Sequence, residues 1–172
     1  MVLPYFTDLS IPFWVIYSMN KQNIDQIDSS ILRALQRDAS QSQRDLAEKV
    51  GISQNALWRR LRLLRDSGLI KSYTVRLDAK GVGLGLTVFV MIRTKHHSQS
   101  WLDRFRREVT AIQNVVDFYR IAGDYDYILK VIAEDMNDFD RVYQRLIANL
   151  ELDTVTSLIT MEAVADSRDW PV

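Results

Sequence analysis

The chain of 172 residues contains no cysteine and only two histidines, His96 and His97. The lack of cysteine excludes disulfides, thiolate metal sites and cysteine catalysis, and it fits a reducing cytoplasm. Adjacent histidines do not share a helix face, and no third ligand is spaced for a metal. We therefore interpret them as solvated loop residues and expect no metal site and no cofactor. The sequence also lacks a phosphate loop and a Ser/His/Asp arrangement, so we expect no enzyme.

Long apolar runs are nearly absent, and the one candidate is residues 1–18, MVLPYFTDLSIPFWVIYS. This segment lacks the basic start of a signal peptide, and Pro4, Asp8 and Pro12 would interrupt a membrane helix. We expect no membrane partner. We interpret the segment as an extension outside the functional core, with Met19 as the true start. The alternative is an arm that packs on a neighbouring subunit.

Net charge is also absent, because 22 Lys and Arg balance 22 Asp and Glu. The distribution is nevertheless uneven. Residues 20–76 hold eleven basic and six acidic side chains, a net of +5, whereas residues 77–172 hold eleven and fifteen, a net of −4. A basic first half attracts phosphate with an affinity that falls with salt. The acidic second half needs a different role.

The basic half predicts two short helices around a glycine turn, which is the pattern of a helix-turn-helix that reads duplex DNA. Residues 43–50 form the first helix, and Ser53 is a good N-cap for a second helix that runs to about Ser67. A preceding helix, which Asp25 can cap, supports the pair. Residues 69–77 have strand composition. The arrangement is therefore winged-helix-like.

The second helix of the pair has two distinct faces at about 100° per residue. Leu57, Leu61 and Leu64 fall on one stripe, which predicts the core side. The opposite stripe suits the major groove, because Arg pairs with guanine and Asn with adenine. The alternative is a solvated polar face, which the preceding helix and turn make less favourable. The predicted DNA-binding residues are Ser53, Gln54, Asn55, Trp58, Arg59, Arg60 and Arg62.

Two of these residues have a second interpretation. Arg60 lies nearer the core side, where a structural pair with an acid such as Asp66 or Glu48 is the alternative to DNA contact. Trp58 lies on the flank of the helix and is interpreted as a packing residue rather than a base stacker. Which arginine reads bases and which holds phosphate stays open from sequence.

The second half begins after a hinge at residues 78–85, where three glycines fall within five residues. Apolar β-branched runs then alternate with amphipathic helices in the order β-α-β-β-α-β. This order predicts a ferredoxin-like domain with two helices on one face of an antiparallel sheet, and hence an α+β protein. The first strand is apolar on both sides, so we expect at least a homodimer through the open face. The predicted strands are 86–93, 115–121, 127–133 and 154–163, and the helices are 99–109 and 136–150.

The best site candidate in this half is the turn formed by Gly123, Asp124, Tyr125 and Asp126. A glycine-led turn between strands can present backbone N–H groups to a carboxylate. Asp124 or Asp126 could bind an α-ammonium group through a charge-assisted hydrogen bond. The alternative, which spacing alone favours, is a plain hairpin turn with acidic residues in solvent.

Three segments, in the same order, resemble the leucine-responsive/asparagine regulator (Lrp/AsnC) family of feast-or-famine transcription factors. They are IDQIDSSILRALQRDAS, LAEKVGISQNALWRRLRLLRDSGLIKSYTVRLD and VVDFYRIAGDYDYILKV. The resemblance covers residues from about Ile24 to Asp166. It implies a DNA-binding domain, a hinge and a regulatory domain that binds small effectors, usually amino acids, at interfaces between subunits. It also implies homodimers and often octamers of four dimers.

The resemblance places the effector loop at residues 123–126 and suggests that Thr156, Ser157 and Thr160 complete the pocket from a neighbouring subunit. We therefore expect a transcriptional regulator that binds double-stranded DNA under control of an amino-acid effector. The alternatives are a nucleoid-organising protein without an effector and, less favourably, a metabolite-binding module or small enzyme. The expected domains are 1–18 (extension), 19–77 (helix-turn-helix), 78–85 (hinge), 86–166 (effector binding and oligomerisation) and 167–172 (tail).

Overall fold

The chain folds into two units, each with its own hydrophobic core. The computed structural model describes residues 24–148, 150–166 and 168–172, so the predicted extension at 1–18 lies outside the described residues. The N-terminal unit comprises Met1–Thr74 with Ser167–Val172, and the C-terminal unit comprises Val75–Asp166. The chain thus returns to its first unit after completing the second.

Three helices build the N-terminal unit: α1 (Gln26–Arg37), α2 (Gln43–Val50) and α3 (Gln54–Asp66). Each begins after a residue whose side chain accepts a hydrogen bond from an N–H of the first turn. These N-caps are Asp25, Ser42 and Ser53, and they satisfy N–H groups that have no partner inside a helix. The three predicted helices and the cap at Ser53 are confirmed.

The turn between α2 and α3 depends on Gly51, whose φ of +76° is left-handed. Glycine adopts this conformation without steric cost, and the N–H groups of Gly51 and Ile52 bind carbonyls at the end of α2. The turn allows the three helices to enclose a shared core. Its buried residues, which include the predicted leucine stripe of α3, are Ile31, Ala34, Leu46, Ala47, Leu57, Leu61 and Leu64.

The predicted strand at residues 69–77 is wrong, because the structure assigns no strand between α3 and Leu86. The N–H of Ile70 donates to the carbonyl of Leu64 at 3.0 Å, which closes the end of α3. Val75 and Leu77 are 78% and 70% exposed. Strand propensity largely reflects packing on a pleated surface, which local composition does not guarantee.

The sheet of the C-terminal unit has four antiparallel strands in the order β2-β3-β1-β4. Two helices follow the first and third strands, which gives the predicted β-α-β-β-α-β order and confirms the α+β fold. The last strand ends at Ile159 rather than at residue 163 as predicted, and the N–H and the hydroxyl of Thr160 both donate to the carbonyl of Thr87 just beyond it. The elements are β1 (Leu86–Arg93), α4 (Gln99–Thr110), β2 (Val115–Arg120), β3 (Tyr127–Ala133), α5 (Met136–Ala148) and β4 (Thr154–Ile159).

One face of this sheet packs under α4 and α5. Phe105 of α4 is fully buried and its ring lies 4.7 Å from Tyr127, 5.0 Å from Trp101 and 5.4 Å from Phe118, measured between centroids. Aromatic contacts at these separations add to the gain from apolar burial. The aliphatic part of this core is Val88, Val90, Ile92, Val109, Leu129, Val131, Val142 and Leu146.

The opposite face of the sheet is also apolar. Phe89 of β1 lies directly across from Leu158 of β4 and Lys130 of β3, so these three side chains share that face. Met91 and Ile128 form a second pair there. Leu158 is 52% exposed, and the other apolar members are half-buried. Both faces of β1 are therefore apolar, as the sequence predicts.

Residues 78–85, predicted as a hinge, form a hydrogen-bonded turn at the start of the C-terminal unit. The N–H of Val82 donates to the carbonyl of Asp78 at 3.1 Å, and the N–H of Leu84 donates to the carbonyl of Ala79 at 2.7 Å. The segment therefore has a defined conformation despite its glycine content.

The last residues of the chain lie along α1. The side-chain amide of Gln36 accepts a hydrogen bond from the N–H of Trp170 at 2.6 Å and donates to the carbonyl of the same residue at 3.2 Å. Arg33 donates to the carbonyl of Val172 at 3.1 Å. Because Arg33 and Gln36 are one turn apart, they form a single docking face on α1.

Candidate DNA-binding surface and effector loop

The outer face of α3 is accessible to solvent. Asn55, Arg59 and Arg62 are exposed, while Leu57 on the opposite stripe is fully buried. In a helix-turn-helix, this outer face enters the major groove. Six of the seven predicted DNA-binding residues are exposed, namely Ser53, Gln54, Asn55, Trp58, Arg59 and Arg62.

Arg60 is the exception, because its guanidinium is held by two carboxylates of the N-terminal unit. Arg60 Nη1 lies 2.7 Å from Asp25 Oδ2 and 2.8 Å from Asp28 Oδ1, and the Arg60 side chain is 24% exposed. The hydrogen bonds to Asp28 and Asp25 raise the pKa of Arg60. The structural alternative predicted Asp66 or Glu48 as the partner, and those partners are wrong. Arg60 joins α3 to the start of α1 instead.

Asp25 and Asp28 are the residues that sequence reasoning missed. Asp25 is predicted as the cap of α1, but it also accepts a hydrogen bond from Arg60, which lies 35 residues away. The N–H of Asp28 lowers the pKa of the Asp25 carboxyl most strongly, and the hydrogen bond from Arg60 lowers it further. No local pattern signals this pairing, because the partners meet only when α1 packs on α3.

Arg62 has two neighbours on its own helix. Its Cζ lies 5.8 Å from the centroid of the Trp58 ring, within the range of a cation–π contact. Its Nε lies 3.5 Å from Asp66 Oδ2. Trp58 is 52% exposed and lies outside the core of the N-terminal unit, so it packs on its own helix rather than in that core. Its described ring partner is the Arg62 guanidinium.

The predicted effector loop connects β2 to β3. Gly123 adopts a φ of +136°, which side chains disfavour, and the N–H of Ile121 donates to the carbonyl of Asp126 at 2.8 Å. The carboxylate of Asp126 accepts a hydrogen bond from the N–H of Thr94 at 2.8 Å. Asp124 is exposed, whereas Asp126 is half-buried. The two acids therefore have different environments, and Asp126 already has a structural partner.

The candidate residues on β4 are only partly brought to this loop. The hydroxyls of Tyr125 and Thr156 share a hydrogen bond of 3.0 Å. Thr156 lies across from Met91 and so belongs to the open face, whereas Ser157 lies across from Val90 on the helix-covered side. The hydroxyl of Thr160 donates to the carbonyl of Thr87 at 2.9 Å. Of these three described residues, Thr156 is the one that is hydrogen-bonded to the loop.

Other candidate features are local. His96 is an exposed loop residue, as predicted, and its Nε2 lies 3.0 Å from Glu151 Oε2 at the surface. In the described part of the chain, no three His, Asp or Glu side chains are grouped so that they could hold a metal ion. No helix among the described residues is long and apolar enough to cross a membrane.

Comparison with known proteins identifies both units. A domain described as "Winged helix-turn-helix DNA-binding" matches residues 24–71, and one described as "Lrp/AsnC ligand binding domain" matches residues 87–170. A glutamate uptake regulatory protein from Zymomonas mobilis is 42% identical over 151 residues, which cover 88% of this chain and 92% of that protein. The chain belongs to the Lrp/AsnC family. The predicted family is therefore confirmed, and both matched domains are regulatory.

Solved structures of relatives share the architecture. An AsnC family transcriptional regulator from Agrobacterium tumefaciens superposes with a TM-score of 0.82 at 41% identity, covering 86% of this chain and 96% of that one. A transcriptional regulator from Neisseria meningitidis, solved as a complex with L-Met, superposes with a TM-score of 0.80 at 26% identity, covering 86% and 96%. The two domains predicted from the sequence are therefore those of the Lrp/AsnC fold.

Proposed function

We propose that this protein is a sequence-specific transcriptional regulator whose DNA affinity or assembly is modulated by an amino-acid effector. The observation that carries the proposal is the outer face of α3, where Asn55, Arg59 and Arg62 are exposed opposite a buried leucine stripe. Asparagine and arginine have the donor geometry that reads adenine and guanine in the major groove. The family match supports DNA binding by this unit.

Arg59 is an arginine that we assign to base reading. Arg60 is held by two carboxylates and Arg62 lies near Asp66. Within the part of the chain that the structure describes, Arg59 forms no ion pair and is exposed. Its donors are therefore available for a bidentate contact with guanine. We assign Ser53 and Gln54, at the start of the helix, to the same surface.

We propose that the effector binds at residues 123–126. Asp124 is exposed and would bind the α-ammonium group, while N–H groups of the turn would bind the carboxylate. Asp126 shapes the loop through Thr94, and Tyr125 links it to Thr156. The L-Met complex of the Neisseria meningitidis relative supports an amino acid as the ligand class.

We also propose that the protein assembles through the open face of its sheet. Phe89, Met91, Ile128 and Leu158 cover this face, and an apolar patch of this kind is typical of a subunit interface. A homodimer would bury the patch and present two copies of α3 to DNA. We further propose that four dimers can form an octamer and that residues 78–85 act as the hinge. Ser157 and Thr160 would complete the effector pocket of a neighbouring subunit.

The test of DNA reading is a selection of duplexes from a random library by the full chain, followed by titrations on selected and random DNA. We expect a specificity ratio of about 10³ or more. Arg59→Ala should weaken binding to the selected duplex by about 1–3 kcal/mol if Arg59 reads a guanine. Arg65→Ala, on the flank of the same helix, is the matched control and should retain the preference.

Two outcomes would contradict parts of the proposal. If the wild-type chain enriches no sequence, the protein is an architectural DNA-binding protein rather than a sequence-specific regulator. If Arg59→Ala weakens binding to selected and random DNA equally, Arg59 contacts phosphate rather than a base. The effector is sought by a thermal-shift screen of the twenty amino acids, because a ligand that binds the folded state raises the melting temperature. If none of the twenty amino acids raises the melting temperature, the effector is not an amino acid.

A further inference from the structure

We propose that Trp58 is a positioning residue for DNA recognition, which orients Arg62 so that its N–H donors face a guanine in the major groove. The inference rests on the proposed function, because it requires that α3 reads bases. It assigns a role to an indole that the hydrophobic core does not use. Trp58 is 52% exposed, and the core of the N-terminal unit is formed without it among the described residues.

A cation–π contact and base reading can use different parts of the same guanidinium. Arg62 Cζ lies 5.8 Å from the centroid of the Trp58 ring. A cation–π contact uses the flat face of the guanidinium, whereas hydrogen bonds to guanine N7 and O6 use N–H groups in the guanidinium plane. Trp58 can therefore hold Arg62 without competing for the donors that would read the base.

Asp66 lies beside one of those donors. Arg62 Nε lies 3.5 Å from Asp66 Oδ2, and the two side chains are 63% and 65% exposed. An exposed pair of this kind contributes little to stability, so a guanine can replace the carboxylate. Trp58, Arg62 and Asp66 are spaced four residues apart along one helix face. The carboxylate is exchangeable, and the indole contact persists on binding.

Preorganisation explains why this arrangement favours specific binding. A free arginine loses side-chain entropy when it is fixed in one conformation. Restriction of Arg62 by the indole before binding reduces that loss. The gain applies only where the fixed geometry meets a guanine, so Trp58 affects specific binding more than non-specific attraction to phosphate.

The experiment uses full-length Trp58→Leu, Trp58→Phe, Arg62→Ala and the double variant Trp58→Leu/Arg62→Ala, titrated on a duplex selected by the wild-type chain and on random DNA. Trp58→Leu should weaken the selected duplex roughly 3- to 10-fold and leave random DNA within about twofold. Trp58→Phe should recover most of the loss, because it keeps an aromatic face. The double variant should bind no more weakly than Arg62→Ala.

Each contrary result has its own meaning. Equal losses on both DNAs, or fully additive losses in the double variant, would show that Trp58 supports the fold or contacts DNA itself, and would overturn the inference alone. A Trp58→Leu variant indistinguishable from wild type would also overturn it. A wild-type chain that selects no sequence would overturn the proposed function as well. Unchanged melting temperatures of the variants confirm that loss of binding is not loss of folding.

Discussion

Arg60 and Asp28 are joined by a hydrogen bond of 2.8 Å that connects α3 to α1 across 32 residues of sequence. Their side chains are only 24% and 17% exposed, so water screens this pair less than a surface pair. Asp25 extends the contact to the cap of α1. Arg60 thus serves the fold, whereas the exposed Arg59 and Arg62 remain for the proposed contact with DNA.

The first prediction concerns this contact. Arg60→Met should lower the free energy of unfolding by about 1–3 kcal/mol, because hydrogen bonds between charged groups are lost and Asp28 remains half-buried. Urea denaturation measures the loss. Arg65→Met is the control and should change stability by less than about 0.5 kcal/mol. In a double-mutant cycle with Asp28→Asn, additive effects would show that the two residues are not coupled.

The second prediction concerns acid. The N–H of Asp28 and then Arg60 lower the pKa of Asp25, the hydroxyl and N–H of Ser40 lower the pKa of Asp38, and Lys95 and then Arg93 lower the pKa of Asp153. A carboxyl whose folded pKa is depressed stabilises the fold above its unfolded pKa, and this stability disappears as pH falls through the folded pKa.

We therefore expect the free energy of unfolding to be level above about pH 5 and to decrease below about pH 3.9, the ordinary pKa of an aspartate. Urea titrations between about pH 6 and pH 2.5 provide the measurement. Asp25→Asn should make this dependence shallower. A variant with the same acid slope as wild type would show that Asp25 is not among the groups responsible.

The third prediction distinguishes two acids of the effector loop. Asp124→Asn should abolish the response to the amino acid found in the thermal-shift screen while leaving DNA affinity within about twofold, because its exposed carboxylate has no described structural partner. Asp126→Asn should instead lower the melting temperature without ligand, since its carboxylate accepts the N–H of Thr94. A fully responsive Asp124→Asn protein would move the effector site away from this loop.

The fourth prediction concerns assembly. Leu158→Asp places a charge on the apolar open face of the sheet and should shift the protein toward monomers, because a buried interface does not accept an unpaired charge. Analytical ultracentrifugation reports the change. Ile147→Asp, at an exposed apolar position on α5, is the matched control and should keep the wild-type mass. Monomers produced by Ile147→Asp alone would place the interface on the helix side.

Most of the fold follows from patterns of short range. The leucine stripe of α3, its cap at Ser53 and the turn at Gly51 are local signals, and the structure confirms each of them. The order of strands and helices in the C-terminal unit follows from alternating periodicity in the same way. The prediction of a strand at residues 69–77 is wrong because strand propensity is a property of single residues. It does not show whether a neighbouring strand is available for pairing.

The chemical character of the proposed DNA-binding surface could be predicted for the same reason. Residue types and helical spacing place Asn55, Arg59 and Arg62 on one face of α3. The roles of individual side chains depended on tertiary packing. Only the approach of α1 to α3 commits Arg60 to Asp25 and Asp28, and only strand register separates Thr156 from Ser157. The local periodicity of the sequence determines which face of a helix or strand a residue occupies. Its contacts with residues distant in sequence depend on how the helices and strands pack against one another.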